Sequence, residues 1–168
     1  MKKRHVHHSG HRERRGERIE EADATSPDAT WCLEQYFAEL RQRFEEGFDI
    51  SKSVSSDPAD FVRPKGAFLI VYNDGHPVGC GGVTLVGPTV GYIKRMWIDA
   101  SRRGQGMGRK LLVALEDTAR DLGCAKAQLE TNRALTGAIR LYRTSGYQEV
   151  PPFNDELYAD HWFEKTLA

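Results

Sequence analysis

The chain has 168 residues, with 24 Lys and Arg balanced by 24 Asp and Glu; this length suits one domain with a sizeable core, and the charge gives no general pull toward nucleic acid or a membrane surface. Three widely spaced cysteines, Cys32, Cys80 and Cys124, argue against a disulfide framework or a zinc site and suit a reducing compartment. The N-terminus is polar from residue 1, and no apolar run approaches the ~18 residues that span a bilayer, so a cytoplasmic protein without a secretory signal is expected.

Residues 1–17 are rich in His, Arg, Lys and Gly, with Val6 the one hydrophobic residue. Such a segment buries too little apolar area to offset its ordering entropy, which predicts a disordered arm ahead of a single folded domain over 18–168. His5, His7, His8 and His11 lack Cys or carboxylate partners, so no metal site is expected there. Arg18 to Ala22 reads as a short first strand. Ser26-Pro27 opens a helix with Pro in its first turn, and Trp31, Leu33, Phe37, Leu40 and Phe44 recur at helical spacing up to Gly47. Ser51 to Ser56 is a polar loop, and Asp57-Pro58 opens another short helix.

From Gly66 the period changes. Ala67 to Tyr72, Pro77 to Leu85 and Val90 to Asp99 read as strands joined at Asn73-Asp74-Gly75 and Gly87-Pro88, an antiparallel meander. A helix follows from about Gly106 to Leu122, capped by Gly123, with Leu111, Leu112, Leu115, Ala119 and Leu122 on one face. Ala125 to Thr131 is a strand, about Leu135 to Ser145 a helix, and Tyr147 to Val150 a short strand. Tyr158 to Thr166 is the last strand, after a Pro-rich acidic loop. The order implies an α+β fold with a mixed, mostly antiparallel sheet flanked by helices.

The strongest motif is Arg102-Arg103-Gly104-Gln105-Gly106-Met107-Gly108-Arg109-Lys110, between a strand and a helix. Glycines let the backbone turn tightly and approach a ligand, and the free N–H groups of the first helical turn make an anion site. With Arg103, Arg109 and Lys110 adding charge, the loop reads as a pyrophosphate cradle; a plain turn into a helix is the simpler alternative. A Walker loop is excluded because Arg109 stands at its second Gly and Leu111 at its hydroxyl position. A dinucleotide fingerprint also has Arg109 at its third Gly; Glu130 sits near the position of its ribose-binding acid, but too little chain follows for a doubly wound domain.

Arg103-x-x-Gly106-x-Gly108 resembles the (Q/R)-x-x-G-x-(G/A) signature of the GCN5-related N-acetyltransferase (GNAT) family. Ile93 to Ile98 is similar to that family's fourth strand. Asn132 and the run from Ala138 to Tyr147 resemble its Asn and its A-I-x-L-Y-x-x-x-G-(F/Y) block, and residues 66–166 follow its order of elements. The resemblance implies that a bulge splays the fourth strand from the fifth to form an acyl-CoA cleft, and that acetyl-CoA is the co-substrate, with no metal. It implies that the backbone of Met96, Trp97 and Ile98 holds the pantetheine and polarises the thioester carbonyl. Residues 103–110 (Arg103, Gly104, Gln105, Gly106, Met107, Gly108, Arg109 and Lys110) would then take the phosphates, with Asn132 and Tyr142 also contacting the cofactor. Asn132 reads equally as a cap for the following helix.

Tyr142 matches the family tyrosine beside the CoA sulfur and serves there as general acid; as a plain helix-face aromatic it is core. The glutamate that many relatives carry in strand four is replaced by Tyr92, which reads as a lining residue of the acceptor pocket. Glu130 is the substitute base, acting directly or through water, or else a solvated strand residue. Asp155 and Glu156 lie where the family places acceptor-side groups, and acidic side chains there attract a cationic amine. The implied activity is acetyl transfer to a primary amine, on a small molecule or a peptide amino terminus. A CoA-binding regulatory module without turnover is the alternative. Tethering of nucleic acid by the arm is weak, because Glu13 and Glu17 interrupt the charge and no aromatic there stacks bases. Dimerisation is common in the family but is carried by no residue that can be named.

Overall fold

The computed structural model describes residues 16–54 and 56–167. Most of the predicted arm, with its histidines, lies outside them, but Glu17 does not belong to an arm: it opens the first strand and pairs with Asn73. The strands are β1 (Glu17–Ala22), β2 (Gly66–Asn73), β3 (His76–Leu85), β4 (Val90–Ile98), β5 (Lys126–Thr131), β6 (Gln148–Val150) and β7 (His161–Thr166). The helices are α1 (Pro27–Arg43), α2 (Met107–Asp121) and α3 (Thr136–Thr144). Short 3-10 turns at Ile50–Lys52, Pro58–Phe61 and Ala100–Arg102 fill the connections.

One seven-stranded sheet runs in the order β1-β2-β3-β4-β5-β7-β6. The β4–β5 pair is parallel and every other pair antiparallel. That follows from the connections: tight turns join β2 to β3 and β3 to β4, whereas α2 crosses from β4 to β5. Both faces of the sheet are covered, so β2 is apolar along its length rather than alternating. Its Phe68, Ile70 and Tyr72 pack with Cys80 and Trp97 against Ala29 and Cys32 of α1. On the opposite face, Leu69 and Val71 join Leu111, Leu112 and Leu115 of α2, together with Ile139, Tyr142 and Phe163. Each such fully buried side chain contributes about 1.5–3 kcal/mol.

Ser26 caps α1 by accepting from Ala29 N at 3.2 Å, and Pro27 takes the first turn. The helix ends at Arg43, short of the predicted Gly47. Phe44 adopts extended backbone, which buries its ring against Phe48 and Tyr158 at centroid distances of 5.9 and 5.7 Å. The last strand begins at His161 rather than Tyr158, because the preceding loop pairs elsewhere: Tyr158 O accepts from Asn132 Nδ2 (2.7 Å) and Asp160 Oδ2 from Arg133 N (2.8 Å). Among the described residues one charged side chain is buried in the core. Glu116 of α2, 3% exposed, accepts from the Tyr147 hydroxyl at 2.7 Å and from Lys165 Nζ at 3.1 Å. Among the described residues no helix is long and apolar enough to cross a membrane.

Candidate active site

The site begins with a defect in β4. Its ladder with β3 steps from Cys80↔Trp97 to Gly82↔Lys94, so Gly81 opposes both Arg95 and Met96. Arg95 absorbs the extra residue at φ 58, in the left-handed region. Glycine opposite leaves room for the packing of α2: a Cβ at Gly81 would lie 2.8 Å from Leu115 Cδ1, which would have to shift. On its other edge β4 pairs with β5 through Val90, Gly91 and Tyr92 and no further. Beyond Tyr92 the two strands diverge, and no β5 residue pairs with the backbone of Ile93 to Ile98. This is the splayed pair that the sequence predicted.

The divergence opens a groove of about 450 Å3 that runs to the glycine loop. Gly104 and Gly106 hold φ of +80° and +79°, with no atom within 4 Å of where a side chain would start, so the loop's backbone is open to a ligand. Met107 is 2% exposed and anchors the start of α2 in the core, which leaves the first-turn N–H groups at the groove. Met96, Trp97, Ile98, Arg103, Gly108 and Arg109 also line it. The Trp97 indole packs edge-on against Trp31 at 5.9 Å, and its Nε1 donates to Glu39 at 3.4 Å. Arg103 grips Glu39 of α1 at 2.5 and 2.7 Å while its Nε donates to Ile98 O at 2.9 Å. Arg109 is held by Thr144 and Ser145 at the end of α3.

Two predicted cradle residues stand apart. Gln105 does not line the groove, and the Lys110 ammonium lies 3.1 Å from Glu17 on β1. Lys110 is on α2 three residues after Met107, and the helix turns it toward the sheet edge.

Across Tyr142 from the groove lies a second, smaller cavity of about 110 Å3. Tyr142 borders both spaces. Its ring packs on Phe163 and Tyr147, and its hydroxyl reaches Met96 Sδ at 3.8 Å. Burial first, and the nearby Glu130 second, push its pKa well above the ordinary value, so the phenol stays protonated. Tyr142 is thus packed in the core and at the same time lines the boundary between groove and cavity.

Glu130 and Tyr92 meet in the cavity: the Tyr92 hydroxyl donates to Glu130 Oε1 and accepts from Asn154 Nδ2 at 3.2 Å. Glu130 Oε2 is buried without a partner among the described residues. Burial raises the Glu130 pKa to about 7, and Glu156 adds to the rise, while the Tyr92 hydrogen bond and Lys94 oppose it. Tyr92 is itself pushed far above its ordinary range by burial and by Glu130, so it acts as a donor and not a base.

Glu156 lines the cavity and accepts from Ser53 Oγ, Val54 N (3.2 Å) and Tyr158 N (3.3 Å). Asp155 is exposed and does not line it. Asn132 borders the cavity rather than the groove. Its side chain accepts from Ala134 N at 2.8 Å and donates to Tyr158 O, shaping the turn into α3 and holding the acidic loop. Sequence reasoning missed most of the far wall, where Tyr36, Phe37, Phe44 and Phe48 converge with Tyr158 of the acidic loop, and it passed over Lys94. The crowding of aromatics between residues 36 and 48 was the available signal. Among the described residues no group of His, Cys, Asp or Glu is arranged to hold a metal ion.

Comparison with known proteins agrees with this geometry. Residues 29–147 match the model of the acetyltransferase (GNAT) family. An IAA acetyltransferase from Azospirillum brasilense is 35% identical over 98 residues, covering 58% of this chain and 64% of that protein; the chain thus spans less than two thirds of this relative's length. A candidate acyl-CoA N-acyltransferase structure from Klebsiella pneumoniae superposes with TM-score 0.72 at 30% identity, covering 90% of this chain and 98% of that one. A GNAT acetyltransferase from Elizabethkingia anophelis with acetyl-CoA bound shares the fold, with TM-score 0.62 at 14% identity, covering 90% and 98% of the two chains. With a bulged β4, a splayed β4–β5 pair and a glycine loop at the start of α2, the chain belongs to the GNAT acetyltransferase family.

Proposed function

We propose that the protein is an N-acetyltransferase that moves the acetyl group of acetyl-CoA to a primary amine by direct attack on the thioester. The observation that carries this reading is the position of Tyr142, which borders both the glycine-loop groove and the cavity that holds Glu130. The residues fit acetyl-CoA: open glycines and first-turn N–H groups for the pyrophosphate, Arg109 for phosphate charge, and the unpaired edge of β4 for the pantetheine. Its presence in the Elizabethkingia neighbour supports the same choice.

Acetyl-CoA supplies an activated acyl group and a thiolate leaving group. An alkylamine of pKa about 10 arrives protonated, and Glu130, with a pKa of about 7, is a base partly ionised near neutral pH that takes the first of the two protons the nitrogen must lose, the second passing to solvent as the C–S bond breaks. Backbone N–H groups of the segment Met96 to Ile98, unpaired on the β5 side, would hold the thioester and stabilise negative charge on its carbonyl oxygen. The neutral Tyr142 hydroxyl donates its proton to the departing sulfur and recovers one from solvent. Tyr92 holds Glu130 in place through its hydrogen bond.

The test mixes the protein with acetyl-CoA and a panel of amines and follows free thiol. Amine-dependent thiol release with formation of the N-acetyl product is expected. Tight acetyl-CoA binding with no amine-dependent release across the panel would overturn the reading in favour of a regulatory acyl-CoA binder.

A further inference from the structure

Lys94 is a feature that acetyl transfer leaves unused. It stands two residues beyond Tyr92 on β4, on the same face of the strand, and lines the acceptor cavity. Its ammonium donates to Val54 O at 2.9 Å and to Ser56 Oγ at 2.7 Å, both neutral acceptors. An ammonium has three protons to give, so among the described residues one is left with only the face of the Tyr92 ring near it. No carboxylate pairs with it among the described residues; Glu130, Glu156 and Asp60 act on it from a distance, and Arg95 repels it. A half-buried cation without an anionic partner is costly unless a ligand supplies one.

The same cavity holds the converse group, the unpartnered Oε2 of Glu130. Lys94 Nζ lies 5.0 Å from the centre of the Tyr92 ring, and the Tyr92 hydroxyl touches Glu130. The ammonium lies over the face of the ring whose hydroxyl holds Glu130, so the two groups border one cavity that a small molecule bearing both charges can bridge. Glu156 does not compete for the ligand's amine, because Ser53, Val54 and Tyr158 already occupy its oxygens. The remaining wall is aromatic, from Phe37, Phe44, Phe48 and Tyr158.

Resting on the acetyl-transfer reading above, we infer that the acceptor is a free amino acid with an apolar or aromatic side chain. Its carboxylate pairs with Lys94, its amine lies at Glu130 Oε2, and its side chain packs on the aromatic wall. A simple alkylamine leaves Lys94 unanswered, and a peptide amino terminus presents a neutral amide where the carboxylate belongs.

The experiment compares kcat/KM, by thiol release, for matched pairs: phenylalanine with 2-phenylethylamine and leucine with 3-methylbutylamine, with phenylalanine amide as a neutral control. Wild-type protein is expected to favour the amino acid of each pair at least tenfold. Lys94→Met is expected to cut that ratio roughly tenfold to a hundredfold, the scale of a lost charge-assisted hydrogen bond, and Lys94→Arg to restore part of it. Melting temperature and acetyl-CoA binding establish that the variants fold; should Lys94→Met not fold, the wild-type preference decides alone. Decarboxylated amines used as well as the amino acids, or an equal fall for both in Lys94→Met, would overturn the assignment and reduce Lys94 to a clamp on the loop carrying Val54 and Ser56, leaving acetyl transfer standing. No thiol release with any amine would remove the acetyl-transfer reading and the substrate assignment with it.

Discussion

Replacing Glu130 with Gln separates what that residue does for chemistry from what it costs the fold. Burial raises its pKa from the ordinary 4.5 to about 7. The folded protein therefore keeps this proton over a range in which the unfolded chain has lost it. By linkage, stability falls as pH rises from 4.5 to about 7 and stays lower above that. At 1.36 kcal/mol per pH unit the full effect is about 3 kcal/mol. Glutamine is neutral at every pH, and its carbonyl oxygen still accepts from Tyr92. Glu130→Gln should thus be more stable than wild type by about 1–3 kcal/mol at pH 8 and nearly equal to it at pH 4.5. Its activity should fall by roughly 10²–10⁴-fold, the worth of a general base. In wild type, kcat/KM should drop tenfold per unit as pH falls below about 7, and the variant should lack that limb. Urea unfolding at the two pH values, together with thiol-release kinetics from pH 5.5 to 9, measures all of this. A variant that retains kcat/KM within twofold would refute the base, and one no more stable than wild type at pH 8 would refute the account of its burial.

Tyr142→Phe should lower kcat by roughly 10²–10⁴-fold while changing acetyl-CoA affinity and stability little, since among the described residues the hydroxyl meets only Met96 Sδ, at 3.8 Å; steady-state kinetics with unchanged kcat would remove the acid role. Lys165→Met leaves the buried Glu116 carboxylate with Tyr147 as its one partner among the described residues, and should destabilise the protein by about 3 kcal/mol; a loss under about 1 kcal/mol by urea unfolding would show the pair to be dispensable. Gly106→Ala places a Cβ on a backbone at φ +79° with no neighbour to clash, so its cost is conformational, about 1–2 kcal/mol. It should weaken acetyl-CoA binding in calorimetric titration, and an unaltered Kd would mean that the loop does not need its left-handed turn.

Much of the fold was legible in the sequence because its signals are local. Ser26-Pro27 starts a helix wherever it stands, the apolar run from Ala67 to Tyr72 reads as a strand, and Gly123 and Gly146 end their helices with the positive φ that glycine permits. The glycine loop announced an anion site for the same reason, since its conformation and free N–H groups belong to a few consecutive residues. Element ends moved where distant partners intervened, as when Phe44 left α1 to meet Phe48 and Tyr158. Glu130 and Tyr92 were each named from the sequence, but not as a pair. Their contact depends on the parallel register that sets Tyr92 beside Gln128, which puts Glu130 two residues on along the same face. That long-range pairing also buries the carboxylate and raises its pKa. Likewise, Arg103, Arg109 and Lys110 were equivalent positive charges in the sequence, and only the packing of α2 sends Lys110 to Glu17 while leaving the arginines at the groove. Sequence determined which backbone segments can turn, pair and cap, because those preferences act over a few residues. Tertiary structure decided which charges are buried and which meet, because desolvation and Coulomb attraction depend on neighbours brought together from β4, β5, α1 and the acidic loop.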